Sequence, residues 1–167
     1  MHNELTPQDI REMEKEIEYR KLVVRPKALE DVKEARAHGD LSENFEYHAA
    51  KKVKNQNESR IRYLERMIKT AVVLRDHTAA DEVGINKTVT LYIKEDKVEE
   101  TYSLVTTVRE DSLHGLVSVE SPMGKALLGH KVGDTVTIVV SDSYSYEAEI
   151  RKIEESGEAE QARLRNY

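Results

Sequence analysis

From Asn44 to Leu74 the sequence contains neither proline nor glycine, and Tyr47, Ala50, Lys54, Asn57, Ile61, Leu64, Ile68 and Ala71 recur in alternating three- and four-residue steps. That spacing is a coiled-coil register, so this stretch must find a second helix to cover its seam. The seam is apolar from Ile61 onward, whereas Lys54 and Asn57 place polar groups in it, trading stability for a fixed register. A helix of roughly 30 residues is about 45 Å long.

The partner helix precedes it. Thr6-Pro7-Gln8-Asp9 reads as an N-cap, a proline at the first helical position and an acid near the positive helix end. Ile10, Met13 and Ile17 then follow at helical spacing. Pro26 should break or kink the element, after which Leu29, Val32 and Ala35 resume the apolar stripe as far as Gly39. The two patterns are separated by seven residues, His38 to Asn44, so an antiparallel helical hairpin with a short tip is expected.

Beyond Val83 the periodicity changes to alternating or β-rich runs at 88–93, 101–108, 116–119, 135–140 and 144–153. Ser121-Pro122 followed by Met123 to Leu128 reads as a short helix ended by Gly129, and Val132-Gly133-Asp134 as a turn. The fold class expected is α+β: an antiparallel α-helical coiled-coil hairpin, then an antiparallel β-sheet domain with one short helix. The boundaries expected are 1–76 for the hairpin, 77–82 for a linker, 83–154 for the β domain and 155–167 for a polar tail.

With no Trp and a single Phe, neither half has the aromatic material for a thick core. No run of 18 apolar residues or basic-apolar leader is present, so neither a membrane partner nor secretion is expected and the cytoplasm is the default. The absence of Cys excludes disulfide scaffolds and thiolate metal sites. A net charge of −6 argues against binding nucleic acid mainly by bulk electrostatics. Residues 1–75 carry +2 and residues 76–167 carry −8, so the halves face different partners or different solvation demands.

At the tip, Asp40 and Glu43 lie three residues apart, close enough for both carboxylates to point into one small volume. Helix capping and solvation would explain such acids without further function. Carboxylates are also hard oxygen ligands suited to Mg²⁺, but two alone make a poor cage for an ion that prefers six ligands, so the others would come from another molecule.

Two strings carry a resemblance. Gly39-Asp40-Leu41-Ser42-Glu43-Asn44, continuing after Phe45 as Glu46-Tyr47-His48-Ala49-Ala50-Lys51, resembles the tip signature of the bacterial transcript-cleavage factors of the GreA/GreB family. Ser121-Pro122-Met123-Gly124-Lys125-Ala126-Leu127-Leu128-Gly129-His130-Lys131-Val132-Gly133-Asp134 resembles that family's second signature. The resemblance implies an FKBP-like C-terminal domain and RNA polymerase as partner, with the coiled coil entering the secondary channel. It also implies that Asp40 and Glu43 complete the coordination of a weakly held Mg²⁺ at the polymerase's own active site, stimulating cleavage at the backtracked 3′ end of the nascent RNA. Such a two-metal site activates water and stabilises the leaving oxygen of a phosphodiester. The chain would then be an accessory factor rather than an enzyme, and a monomer is expected.

By the same resemblance Arg36 and Lys51 belong to a basic patch near the extruded RNA, with solvation an equal alternative; Lys51 is a point charge where a planar guanidinium is often found. Asn44 and Ser42 are expected to shape the turn, and Glu46 to help the acids or simply face solvent. Phe45 departs from the small residue usual at its position and is expected to pack on Leu41, with exposure toward the channel as the alternative. His48 lies more than one helical turn beyond Glu43, too far to read as a general base. The competing readings are a channel-occupying regulator without cleavage, a prolyl isomerase and a coiled-coil adaptor. The isomerase reading is weak because residues 76–167 contain no Phe or Trp for its pocket.

Overall fold

A computed structural model describes residues 3–39, 44–155 and 164. The chain divides into two compact units, one of Pro7 to Val73 and one of the residues before Pro7 together with those from Leu74 onward. Two-residue strands β1 (Glu4–Leu5) and β2 (Val72–Val73) lie near the two crossings of that division.

The first unit is a helical hairpin. Helix α1 (Pro7–Tyr19) runs through a π-helical turn, Arg20–Val24, into α2 (Arg25–Ala37), and α3 (Phe45–Lys69) forms the second arm. Pro26, expected to break or kink the first arm, marks an interruption between two helices as expected: it sits in the first turn of α2, just after the π-helical turn, where its missing N–H costs little. The widened turn before it absorbs the irregularity: the Arg25 amide donates to the Arg20 carbonyl, five residues back.

The seam of α3 follows the register read from sequence. Asn57, Ile61 and Leu64 are buried, and Tyr47, Ala50, Lys54 and Ile68 are half-buried. Arg60 and Met67 are buried there as well. On the opposing arm Met13, Ala28 and Ala35 are buried, whereas Leu29 is 47% exposed. The stripe therefore passes through Ala28 rather than Leu29, because Ala28, Val32 and Ala35 follow the four- and three-residue steps of a seam, whereas Leu29, Val32 and Ala35 follow two three-residue steps that drift off it.

The second unit is a five-stranded sheet in the order β5-β4-β3-β7-β6, from β3 (Lys87–Ile93), β4 (Val98–Val105), β5 (Leu116–Ser118), β6 (Thr135–Ser141) and β7 (Tyr144–Glu155). Neighbours are antiparallel as expected except β4 and β5, which run parallel and make the sheet mixed. Central β3 alternates buried and half-buried residues along its whole length, and Val89, Leu91 and Ile93 join Leu104, Ile138, Ala148 and Ile150 in one core.

Helix α4 (Pro122–Leu127) sends Leu127 into that core. β4 departs from its expected bounds at both ends. It begins at Val98, because the ladder with β3 continues to the Ile93–Val98 pair, and charged Glu99 and Glu100 had concealed this in the sequence. It ends at Val105, because Thr107–Arg109 coils into a 3₁₀ turn in which the Thr107 hydroxyl meets Ser118 Oγ at 2.6 Å.

One buried cation fastens this unit. The Lys87 ammonium, 1% exposed, donates to Thr78 Oγ1 at 3.0 Å, the Ala79 carbonyl at 2.7 Å and the Glu82 carbonyl at 3.0 Å. Three oxygens from one loop thereby satisfy all three of its donors.

Candidate functional site

The acids Asp40 and Glu43 lie outside the described residues, so the site is built from what brackets them. Helix α2 ends at Ala37, with the His38 amide reaching the Ala35 carbonyl at 3.3 Å. Gly39 follows at φ +114°, a left-handed backbone that side-chain-bearing residues rarely adopt.

The return arm starts at Asn44, whose side chain does two things. Its Oδ1 accepts from the Tyr47 amide at 3.0 Å, capping α3, and its Nδ2 donates to the Ala35 carbonyl of α2 at 2.7 Å. One side chain thus satisfies an orphan donor of one helix and an orphan acceptor of the other. Both ends of the four-residue segment carrying the acids are fixed by it. Sequence reasoning placed Asn44 in the turn but not across it; an N-cap residue nine positions after a helix's final turn is the signal that could have revealed the bridge.

Arg36 and Lys51 are exposed. Arg36 lies over the Tyr47 ring, 5.8 Å from its centroid, and Lys51 follows Tyr47 by four residues on the same helix face. Arg36, Tyr47 and Lys51 therefore form one basic-aromatic flank beside the tip. His48 is exposed, its ring 5.4 Å from that of Tyr47. Phe45 is 88% exposed, the alternative expected for it, while Leu41, its expected packing partner, lies outside the described residues; Glu46 is exposed in the first turn of α3.

Farther from the tip, a polar clamp holds the arms in register. Arg60, 7% exposed, donates through Nε to Glu16 Oε2 at 2.8 Å and through Nη2 to Glu16 Oε1 at 3.3 Å. Arg20 donates to the same Glu16 oxygen at 3.1 Å and to Asn57 Oδ1 at 3.1 Å, and Asn57 Nδ2 returns a bond to the Arg20 carbonyl at 3.3 Å. Arg25 grips both oxygens of Glu58 at 2.7 and 2.9 Å.

Burial works to raise the Glu16 carboxyl, but the hydrogen bond and charge of Arg60, then those of Arg20, leave it below its ordinary value. Asn57 was legible as a polar seam residue. Arg60 was not, because an arginine in a charged helix reads as solvated.

The second sequence signature is held just as closely. Ser121 Oγ accepts from the Gly124 amide at 3.0 Å to cap α4 and donates to the Ser118 carbonyl at 2.6 Å. A Cβ on Gly124 would fall 2.2 Å from that carbonyl oxygen and 2.7 Å from Val119 Cα, so only glycine admits this contact. The Gly129 amide donates to the Val83 carbonyl at 2.9 Å, and the Val83 amide donates to the carbonyl of the next residue, His130, at 2.8 Å. Asp134 closes the following turn, accepting from the Lys131 amide at 2.9 Å. That bond, then His130, lowers its carboxyl.

Among the described residues no group of three or more His, Asp or Glu side chains could hold a metal ion, and no helix is long and apolar enough to cross a membrane. Residues 3–73 match the family model described as Transcription elongation factor, N-terminal, and residues 77–155 match Transcription elongation factor, GreA/GreB, C-term. The chain is 44% identical over 153 residues to the transcription elongation factor GreA of Streptococcus sanguinis strain SK36, spanning 91% of this chain and 95% of that protein. GreA of Streptococcus pneumoniae serotype 19F strain G54 gives the same identity and coverage. Among solved structures, GreA factor homolog 1 of Thermus thermophilus is 26% identical, with 90% of this chain and 97% of that one covered and a TM-score of 0.41.

Proposed function

The chain belongs to the GreA/GreB family of transcription elongation factors, and from that premise we propose that its hairpin enters the secondary channel of RNA polymerase and stimulates cleavage of backtracked nascent RNA. The observation that carries the reading is the retained acid pair Asp40 and Glu43, set between a left-handed glycine and the Asn44 bridge. Two carboxylates fit the preference of Mg²⁺ for hard oxygen ligands, and they leave room for ligands from the polymerase. When held there, the ion supplies activation of water and stabilisation of the leaving oxygen of the phosphodiester.

This chain's own contribution is placement. Asp40 and Glu43 offer the oxygens, and Asn44 and Gly39 fix where the segment leaves each arm. The clamp of Arg60, Arg20, Glu16 and Asn57 keeps one arm from sliding along the other. The exposed Arg36 and Lys51 present positive charge on the flank, where the phosphates of an extruded RNA 3′ end would pass. The catalytic centre belongs to the polymerase, so the chain acts as an accessory factor.

The test is RNA cleavage in a purified, deliberately backtracked elongation complex with Mg²⁺, comparing the wild type, the Asp40→Asn/Glu43→Gln double variant and no added protein. Cleavage only with the wild type is the expected result, with the double variant still binding polymerase. Equal cleavage in all three overturns the reading in favour of a regulator that occupies the channel without cleavage.

A further inference from the structure

The inner face of the sheet is longer than the helix that covers it. Helix α4 has six residues, about 9 Å, while β4 has eight and spans about 27 Å. Along β4 the residues facing the core side run Leu104, Tyr102, Glu100, Val98, and their exposure rises from fully buried Leu104 to Val98 at 42%. Along β7 the corresponding run is Ile150, Ala148, Tyr146, Tyr144, from fully buried Ile150 to Tyr144 at 49%. Between them lie Leu91 and Ile93 of β3.

The uncovered end is aromatic and acidic. The Tyr144 and Tyr146 rings are 5.9 Å apart and tilted by 35°, and the Tyr102 hydroxyl donates to Glu100. Glu95 and Asp96, in the β3–β4 turn, act on the Tyr144 hydroxyl, and Glu100 acts on Tyr146 as well as Tyr102. All three hydroxyls are raised: Tyr102 by burial and then Glu100, Tyr144 by Glu95 and then burial, Tyr146 by burial and then Glu100.

We propose that this uncovered inner face, Tyr102, Tyr144 and Tyr146 with Glu95, Asp96 and Glu100, docks a basic, arginine-bearing segment of a protein partner. Charge selects the occupant. Residues 76–167 carry −8, so a nucleic acid or a second copy of the same face would meet like charge. A guanidinium is weakly hydrated, stacks on ring faces and bonds a carboxylate with two parallel donors, which is what tyrosines flanked by glutamates accept.

The opposite face of the same sheet already holds such an arrangement. There Arg151 lies 4.4 Å from the Tyr92 ring centroid, with its nitrogens 3.4 Å from Glu149 and 3.8 Å from Glu99. Among the described residues, the inner face offers the same partners without an arginine. The inference stands apart from the cleavage reading, since neither tip acid enters it.

The test uses the full chain and a dye-labelled peptide, Gly-Arg-Ala-Arg-Ala-Arg-Gly, with its glutamate counterpart as control. The arginine peptide is expected to bind in a salt-dependent way and to shift the ring resonances of Tyr144 and Tyr146, while the glutamate peptide does neither. Tyr144→Ser with Glu100→Gln should weaken binding at least tenfold. Glu12→Gln with Glu14→Gln, on α1, should leave it unchanged, and matching melting temperatures for both variants would exclude misfolding. Equal losses in both variants, no loss in either, or self-association abolished by Tyr144→Ser would each overturn the proposal.

Discussion

Asn44 joins the two ends of the tip, and its replacement separates capping from function. Asn44→Ala removes an N-cap worth about 1 kcal/mol and leaves the Ala35 carbonyl to the His38 amide alone. The expected outcome is a modest fall in hairpin melting temperature, faster hydrogen exchange at the Tyr47 amide and a larger loss of stimulated cleavage than that fall explains. Cleavage that tracks stability alone would show that placement of the acids tolerates a loose bracket. Gly124 makes a harder demand, since a methyl group there would enter the van der Waals envelope of the Ser118 carbonyl. Gly124→Ala is expected to destabilise the β unit by about 2 kcal/mol, read by chemical denaturation, because helix and turn backbone are in direct contact.

At the scale of the element, the hairpin adds a cluster of part-buried charges to its apolar seam of Met13, Ile61, Leu64 and Met67. The Glu16 carboxyl is lowered in the folded state, so it stabilises the hairpin at pH above its ordinary value of 4.5 and loses that contribution as pH falls through its lower folded value. Arg60→Ala should cost about 2 kcal/mol, since it breaks a charge-assisted pair and leaves a half-buried carboxylate to Arg20 alone. Melting temperature measured from pH 7 down to pH 3 should fall in the wild type and vary less in Glu16→Gln; parallel curves would place the acid sensitivity elsewhere.

This same element shows what sequence does and does not carry. The three-four spacing of Tyr47 to Ala71 was readable because coiled-coil geometry is periodic, and the seven-residue tip was readable because Gly39 and Asn44 punctuate it. The π turn before Pro26 was not, since helix type depends on how both arms pack and not on one residue's ring. The Arg60–Glu16 pair spans 44 positions, and no local pattern announces a bond of that separation. Phe45 was ambiguous for a related reason: its apolarity argued for packing, yet at the first position of α3 it is 88% exposed.

Over the whole molecule, the two units answer to different forces. The hairpin is tied by Arg–Glu bonds that acid weakens, and the β unit by a core of Val, Leu and Ile that acid leaves intact. The buried Lys87 bears on how the first loop of the β unit meets a protease. Residues 76–82 are exposed apart from half-buried Thr78 and Glu82 and form no regular helix or strand beyond an isolated bridge at Glu82, the description of an easily cut segment. Cutting requires the loop to be drawn out, and that would strip three oxygens from a buried ammonium. Glutamate-specific endoproteinase is therefore expected to spare the bond after Glu82 in the wild type and to cut it readily in Lys87→Met. The Lys87 ammonium, tethered from within, is thus expected to make this exposed loop a poor substrate for the enzymes that clear loosely folded chains.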